Sequence, residues 1–365
     1  MKQFDSRIRK HQVRFETIRA DQSDLTNIVD DMMKFGGKLK PASIWLTLDA
    51  QTPFEAATKE IVTESYSPRH LEGTMSTMEK VLARWIGGAL LTVDQTGIKP
   101  WKELLADNDP LELWKVNVEK NSETLIADLW SIMDIDLIWS FRSVRKPFTR
   151  VLEIGGGYGR LAEAMLNVFE TSISYVVVDA VPVSLYYAKE YLSRACPEMR
   201  IGSYYDNDPF DLDKFSCYIV PVWHFERLNR YSYDICINVE SFQEMLQEHV
   251  DFYLQLFDKI TVDEALFYIS NAHDYYFKGQ WNYPKHWRKL FCSTTPRAWT
   301  RDNRTEALIK TNLDYSVQNQ IMDELYEYEL SQHAQLASQT SPQGKALLSL
   351  RRKAGSLLEY LRKGK

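Results

Sequence analysis

The chain has 365 residues, of which 44% are hydrophobic and 13% aromatic, enough for a sizeable core in one large domain or two domains. Its 44 Lys and Arg against 50 Asp and Glu give a formal net charge of −6. That balance argues against a general nucleic-acid binder, which needs a basic surface. The four cysteines form no C-x-x-C pair, so we expect free thiols in a reducing compartment, not zinc ligands or disulfides.

Two further classes are disfavoured by the pattern of apolar residues. Residues 1–15 lack the apolar run of a signal peptide. Nowhere does the chain approach the roughly 20 consecutive apolar residues of a membrane-spanning helix. We therefore expect a cytoplasmic protein without a transmembrane segment.

Residues 1–145 are predicted to form a mainly helical region. The tetrapeptide Thr52–Glu55 has the order of a helix start, with Thr as N-cap, Pro at the first position and Glu at the third. Further helices are predicted at Pro68–Leu91, Pro100–Ala106 and Ser122–Trp139. We expect this region to cap the catalytic domain, to cover part of its active site, and to offer a surface for homodimer formation.

From residue 146 to 318 the pattern changes to alternating strands and helices. The predicted strands are 151–154, 175–178, 218–222, 233–239 and 265–270, and the main predicted helices are Pro182–Ser193 and Ser241–Lys259. Such alternation predicts a Rossmann-like α/β domain, in which helices cover both faces of a parallel sheet. Ligands then bind at the carboxyl ends of the strands, so the residues that follow each strand are the candidates for a site.

The turn after the first of these strands is rich in glycine. Glu153 stands near the end of the strand, and a helical pattern begins near Arg160. Between them lie Gly155, Gly156, Gly157, Tyr158 and Gly159. Glycine accepts positive φ and lets a ligand approach the backbone, and the helix start offers unpaired N–H groups. The dinucleotide fingerprint G-x-G-x-x-G would have its third glycine where this chain has Arg160.

The spacing acidic-x-G-x-G-x-G instead resembles motif I of class I S-adenosylmethionine-dependent methyltransferases. S-adenosylmethionine has no pyrophosphate, but its sulfonium, ammonium and ribose suit carboxylates. The next predicted strand ends in Asp179, and the resemblance implies that this carboxylate accepts hydrogen bonds from the ribose hydroxyls. Glu153, the four glycines, Tyr158 and Asp179 are therefore candidate cofactor residues, with S-adenosylhomocysteine as the product. A nicotinamide or flavin site, and a glycine turn without a ligand, stay open as alternatives.

Further candidates follow the third and fourth strands. Trp223 either walls the adenine or packs in the core, and the neighbouring His224 is predicted to be a loop residue. Asn238, Glu240 and Gln243 are assigned to the methionine end of the cofactor. Glu240 and Glu244 stand four residues apart, so we expect them to share one face of the helix Ser241–Lys259.

Two segments follow the last predicted strand. Residues 271–300 are predicted to form a long loop with eight aromatic residues, and its Asn, His and Asp side chains suit a sugar. Packing of these aromatics into a satellite cluster is the alternative. Residues 319–365 are predicted to form C-terminal helices and a basic tail. In them, residues 320–333 form an amphipathic acidic helix with Ile321, Leu325 and Tyr328 on one face, and a linker runs from Ala337 to Gly344.

The segments VLEIGGGYGRLA, YVVVDA and NVESFQEM together resemble the sugar O-methyltransferase family of bacterial saccharide and antibiotic pathways. The resemblance covers roughly residues 145–275, and its most specific part is Ser241–Met245, directly after the fourth strand. It implies a sugar or glycosylated acceptor that binds beside Gln243 and Glu244. An N- or C-methyltransferase on the same scaffold, and a non-catalytic partner protein with this fold, are the alternatives.

Methyl transfer to a sugar hydroxyl needs alignment and removal of a proton. Alignment can lower the barrier by up to ~7–11 kcal/mol, and a general base adds ~10²–10⁴-fold in rate. We expect Glu244 or His273 to be that base, since His has the better unperturbed pKa and Glu244 lies in the more specific motif. Glu240, Glu244, His273 and Asp274 could also ligate a divalent metal, but no spacing requires one, and none is predicted.

Overall fold

The computed structural model describes part of the chain. The described residues are 22–39, 91–94, 97–100, parts of 131–141, 149–169, 172–206, 209–272, 281–295 and 303–338. The four cysteines lie among them as buried free thiols, as predicted. In these ranges, no helix is both long enough and apolar enough to cross a membrane.

Five α-helices and ten strands account for most of the described residues. The helices are α1 (Gln22–Phe35), α2 (Arg160–Phe169), α3 (Pro182–Ala195), α4 (Gln247–Ile260) and α5 (Ser316–Ser338). The strands are β1 (Leu91–Asp94), β2 (Gly97–Pro100), β3 (Arg150–Ile154), β4 (Ser174–Asp179), β5 (Ile201–Ser203), β6 (Cys217–Pro221), β7 (Tyr233–Val239), β8 (Thr261–Ala272), β9 (Trp287–Thr295) and β10 (Asn303–Lys310).

The ten strands form one sheet in the order β2-β1-β9-β10-β8-β7-β3-β4-β6-β5. From β5 to β8 every neighbouring pair is parallel, and β10 runs antiparallel between β8 and β9. The chain reverses its direction across the sheet at β3, so right-handed crossovers place α2 and α3 on one face and α4 on the other. The predicted Rossmann-like α/β class is confirmed, and the switch point, where sheets of this class generally bind ligands, lies at the carboxyl end of β3.

The N-terminal region is not entirely helical. The backbone of β1 and β2 forms an antiparallel hairpin, and Thr92 pairs with Ser293 of β9. The helices predicted at Pro68–Leu91 and Pro100–Ala106 therefore each overlap a strand by one residue. Between 131 and 139 the described positions are helical, as predicted, and the helix start at Thr52 lies outside the described residues.

The loop predicted at 271–300 is wrong in its second half, because β9 occupies Trp287–Thr295. Trp287 and Phe291 are fully buried, and the Trp287 ring stacks on Phe267 with 3.5 Å between centroids. These aromatics therefore belong to the sheet and its core. Residues 273–280 and 296–302 lie outside the described part of the chain.

The helix predicted at Ser241–Lys259 also begins later than expected. Phe242–Glu244 forms one 3-10 turn, and α4 starts at Gln247. Glu240 has φ +57° in the left-handed region. Glu240 and Glu244 therefore do not share a helix face, and the prediction that they do is wrong.

Helix α5 includes the predicted helix 320–333 but turns a different face inward. Met322, Leu325 and Tyr326 are buried, whereas Ile321 remains 38% exposed. Buried charges turn the face with Asp323 toward the sheet: Lys289 of β9 and Arg304 of β10 each pair with Glu306 of β10 and with Asp323 of α5. The helix continues to Ser338, into the segment predicted as a linker.

Candidate functional site

The glycine turn connects β3 to α2 at the centre of the sheet. Gly155, Gly157 and Gly159 have φ of +73°, +55° and +92°, a conformation that other residues adopt only with strain. The Gly155 N–H donates to the Val178 carbonyl at 2.7 Å. The turn is therefore fixed to the end of β4, beside Asp179.

A hypothetical Cβ distinguishes the four glycines. At Gly155 it would lie 2.0 Å from the Ser241 Oγ, and at Gly156 and Gly159 it would lie 2.8 Å from side chains of β4 and α3. Those three glycines are needed for packing within the protein. At Gly157 nothing lies within 4 Å, so a ligand has room to approach the backbone there.

Asp179 holds this open part of the turn in place. Its Oδ2 accepts a hydrogen bond from the Gly157 N–H at 2.9 Å, and its Oδ1 accepts one from the Val181 N–H at 2.8 Å. Burial raises the pKa of Asp179 to about 6, although the backbone hydrogen bonds act in the opposite direction. Each carboxylate oxygen can accept a second hydrogen bond, so the group can bind ribose hydroxyls while it fixes the turn.

Glu153 lies beneath the turn and is only 3% exposed. Its Oε2 accepts a hydrogen bond from the Tyr175 hydroxyl at 2.9 Å. Burial raises the pKa of Glu153 to about 7, and the Tyr175 hydrogen bond and the charge of Arg160 partly oppose the rise. Arg160 also donates to the Ser131 Oγ at 2.7 Å, so the residue that replaces the third fingerprint glycine anchors the N-terminal region.

Tyr158 and Asn238 both make contacts that hold the turn in place. The half-buried Tyr158 ring meets the edge of Tyr191 at 5.2 Å. Asn238 is fully buried; its amide donates to the Ile154 carbonyl at 2.9 Å and accepts from the Phe242 N–H at 3.1 Å and the Asn271 amide at 3.0 Å. Asn238 thus joins the ends of β3, β7 and β8, which explains why an asparagine stands there even without a ligand contact.

Gln243 and the two glutamates lie at the carboxyl ends of β7 and β8. The Gln243 side chain accepts a hydrogen bond from the Ala272 N–H. The Glu240 Oε1 accepts one at 3.4 Å from the Asn303 amide of β10, a residue the sequence did not suggest. Glu244 is half-buried in the adjacent 3-10 turn. His273 lies one position beyond the end of β8, outside the described residues.

Trp223 and His224 begin the 3-10 segment Val222–Arg230, which follows β6. Both are buried, and both contact the Oδ2 of Asp31 on α1, at 2.7 Å from the Trp223 Nε1 and 3.0 Å from the His224 Nε2. The Tyr205 hydroxyl donates to the same oxygen at 3.0 Å. Asp31 could not be found from the sequence, because nearly two hundred residues separate it from Trp223.

Among the described residues, no three His, Cys, Asp or Glu side chains lie close enough together to hold a metal ion. His273 and Asp274, two of the four ligands considered from the sequence, are outside that set. The expectation that no metal is required therefore stays a prediction.

No protein-family model matches the sequence, and no curated protein does. Solved structures with a similar fold include a putative O-methyltransferase from Klebsiella pneumoniae, at 14% identity over 57% of this chain and 94% of that chain, TM-score 0.37. An O-methyltransferase from Bacillus cereus in complex with SAH is 11% identical over the same shares, with a TM-score of 0.36. TrmN from Thermus thermophilus is 13% identical over 48% of each chain, with a TM-score of 0.36.

At such identities a likeness concerns the fold alone. The chain spans about half of TrmN and 61% of TehB from Haemophilus influenzae, another similar structure, so it matches only part of these proteins. The strand order and the glycine turn described above are properties of this chain itself. From them, and not from these likenesses, the chain has a Rossmann-like α/β fold.

Proposed function

We propose that the protein is an S-adenosylmethionine-dependent O-methyltransferase that acts on a hydroxyl of a sugar or a sugar-containing natural product. The observation that carries the cofactor assignment is the open space at Gly157, whose N–H is held by the Asp179 carboxylate. A ligand that approaches this backbone meets a carboxylate with spare acceptor capacity. Ribose hydroxyls are donors that fit it, whereas a pyrophosphate would be repelled.

The remaining cofactor assignments follow from the direction of the sheet. Glu153 lies beneath the turn, where a buried carboxylate favours the positive charge of the cofactor. Trp223 follows β6, on the far side of Asp179 from the turn, and suits the adenine end. Gln243 and Glu240 follow β7, on the other side of β3, and suit the methionine end and the transferred methyl.

The acceptor is assigned to the same edge, beside β7 and β8. Polar side chains meet there, and the aromatic Trp281 packs against Phe242 at 5.7 Å between centroids. Hydroxyl-binding groups beside aromatic faces are what a sugar needs. The resemblance of Ser241–Met245 to the sugar family supports the same class of acceptor.

When bound, S-adenosylmethionine supplies the methyl group on a sulfonium leaving group. The residues of this chain hold the acceptor oxygen in line, and Glu244 or His273 takes the hydroxyl proton. Gln243, whose side chain is tied to the Ala272 N–H, fixes the turn that carries Glu244. No step in this mechanism needs a metal.

The cofactor assignment is tested by calorimetry on Asp179→Asn. The amide keeps an acceptor oxygen for one backbone N–H but loses the charge, so S-adenosylmethionine should bind more weakly by ~1.5–3 kcal/mol, the range for hydrogen bonds to charged groups. NADH, titrated in parallel, should not bind. Unchanged affinity in a variant with the melting temperature of wild type would show that Asp179 does not bind the ribose.

The base is tested by the kinetics of Glu244→Gln. The substrate is a sugar acceptor that product analysis has shown the wild type to methylate. A base acts only in the chemical step, so kcat should fall by ~10²–10⁴-fold while S-adenosylmethionine affinity stays nearly constant. His273→Gln is the matched comparison. If both variants keep kcat within about threefold of wild type, neither residue is the base, and water accepts the proton. A product methylated on nitrogen or carbon would favour the alternative acceptor classes.

A further inference from the structure

The Asp31 carboxylate is a meeting point for three side chains from another part of the molecule. Its Oδ2 lies 2.7 Å from the Trp223 Nε1, 3.0 Å from the Tyr205 hydroxyl and 3.0 Å from the His224 Nε2. The side chain is only 16% exposed. Burial, and next the charge of Asp31, raise the pKa of Tyr205, so its hydroxyl stays a donor. Hydrogen bonds to a charged, sheltered acceptor are stronger than those between neutral groups.

The helix that carries Asp31 packs on two elements that begin next to the predicted cofactor site. Leu25, Ile28 and Met32 form its buried face, and α1 packs on α3 and on the segment Val222–Arg230. Phe35, in the last turn, contacts the His224 ring at 5.3 Å. The helix α3 starts three residues after Asp179, and Val222–Arg230 starts directly after β6. Both supports of α1 therefore begin at the edge of the sheet where the ribose and adenine are placed.

We propose that Asp31 is a positioning residue that latches α1 over the adenine end of the cofactor site, so that the latch must open whenever the cofactor enters or leaves. This inference rests on the proposed function, since it presumes S-adenosylmethionine at Gly157 and Asp179. Trp223 connects the two, because its indole N–H is held by Asp31 while its ring lies beside the end of β6. Asp31 needs no contact with the cofactor to act in this way.

A latch has a kinetic signature that a simple structural contact lacks. Entry and exit both require α1 to move, so a weaker latch speeds both steps, and the equilibrium affinity changes little. A residue that only supports cofactor contacts would change the dissociation rate alone. Measurement of both rate constants therefore separates the two roles.

The test is surface plasmon resonance with S-adenosylhomocysteine on wild type, Asp31→Asn and Asp30→Asn. Asn keeps the shape of Asp31 but removes the charge that the three donors share. We expect the association and dissociation rate constants of Asp31→Asn both to rise by about tenfold, with Kd within about threefold of wild type. Asp30 is exposed on the same helix, so Asp30→Asn should match wild type.

Tyr205→Phe removes one of the three donors and should give a smaller rise in both rate constants. If thermal melting shows that Asp31→Asn fails to fold, Tyr205→Phe replaces it in the same measurement. A rise in dissociation alone, or no change in either rate constant in a folded variant, would overturn the latch. Failure of wild type to bind S-adenosylhomocysteine would instead overturn the proposed function, on which the latch depends.

Discussion

Glu153 and Asp179 are two buried carboxyls whose pKa values, about 7 and about 6, are both raised by desolvation. At neutral pH Glu153 is then close to half ionised and Asp179 mostly ionised, and a positive partner stabilises such buried anions. The proposed cofactor, S-adenosylmethionine, carries an ammonium and a sulfonium. At the scale of single residues, we therefore expect binding of this cofactor to be coupled to proton release.

The affinity for S-adenosylmethionine should rise with pH between 5.5 and 7.5. The positive ligand binds best to the ionised carboxylates, and these form as the pH passes about 6 for Asp179 and about 7 for Glu153. Calorimetry across this range measures the effect. Glu153→Gln should flatten the upper part of the profile, and a wild-type affinity that falls with pH would contradict the coupling.

The free energy of unfolding is a control for this coupling, because it should fall with rising pH while the cofactor affinity rises. The folded pKa of Glu153 lies above its ordinary value of 4.5, so its favourable contribution is complete below pH 4.5 and is lost as the pH rises through about 7. The loss amounts to about 3 kcal/mol at pH 8, from 1.36 kcal/mol per unit of pKa. Urea unfolding at pH 5 and pH 8 should show wild type losing more stability over that interval than Glu153→Gln, which can still accept from Tyr175.

At the scale of elements, different glycines of the turn are needed for packing and for cofactor binding. Gly157→Ala adds a methyl in open space, so it should cost only the ~1–2 kcal/mol of a left-handed alanine while it obstructs the cofactor. Gly159→Ala adds the same strain and an overlap with Leu192, for a further ~1–3 kcal/mol. We expect Gly157→Ala to lose S-adenosylmethionine affinity at least about tenfold at modest thermal cost, and Gly159→Ala to melt well below it.

Gly37→Ala is the matched control for strain. Gly37 has φ +49° with nothing within 4 Å of its hypothetical Cβ, and it lies outside the glycine turn. The variant Gly37→Ala should have the melting temperature of Gly157→Ala and the cofactor affinity of wild type. Equal cofactor affinity in wild type and Gly157→Ala would show that the ligand does not approach the backbone at this glycine.

The five central strands could be predicted because strands buried on both faces read as apolar runs, as Val176–Val178 does in β4. The strands β9 and β10 could not, because Lys289, Arg304 and Glu306 interrupt the apolar pattern. Each of these charges is buried and paired with a residue from another element, and pairing across such distances leaves no local signal.

The same contrast holds within the site. Glu153, the glycines and Asp179 follow strand ends at a fixed spacing, so the sequence predicts them together, and the structure brings them to one turn. Asp31 and Asn303 reach the site only through the packing of α1 and the insertion of β10. The helix predicted to begin at Ser241 begins only at Gln247. Before it, the Ser241 hydroxyl donates to β3, and the Phe242 and Gln243 N–H groups donate to the side chains of Asn238 and Asn271, which compete with helical hydrogen bonds.

At the scale of the whole molecule, the position of β10 matters for how the chain is synthesised. The strand β8 is 12 residues long, with a buried apolar run from Ala265 to Ile269, and β10 pairs with its outer edge. On the ribosome, β8 emerges before its partner, and the hairpin β1–β2 emerges long before β9. A nascent or truncated chain that stops short of Asn303 presents an open, apolar strand edge, which other chains can pair with. Synthesis of the segment between β8 and β10, and not catalysis, is then the stage at which this protein is most prone to aggregate.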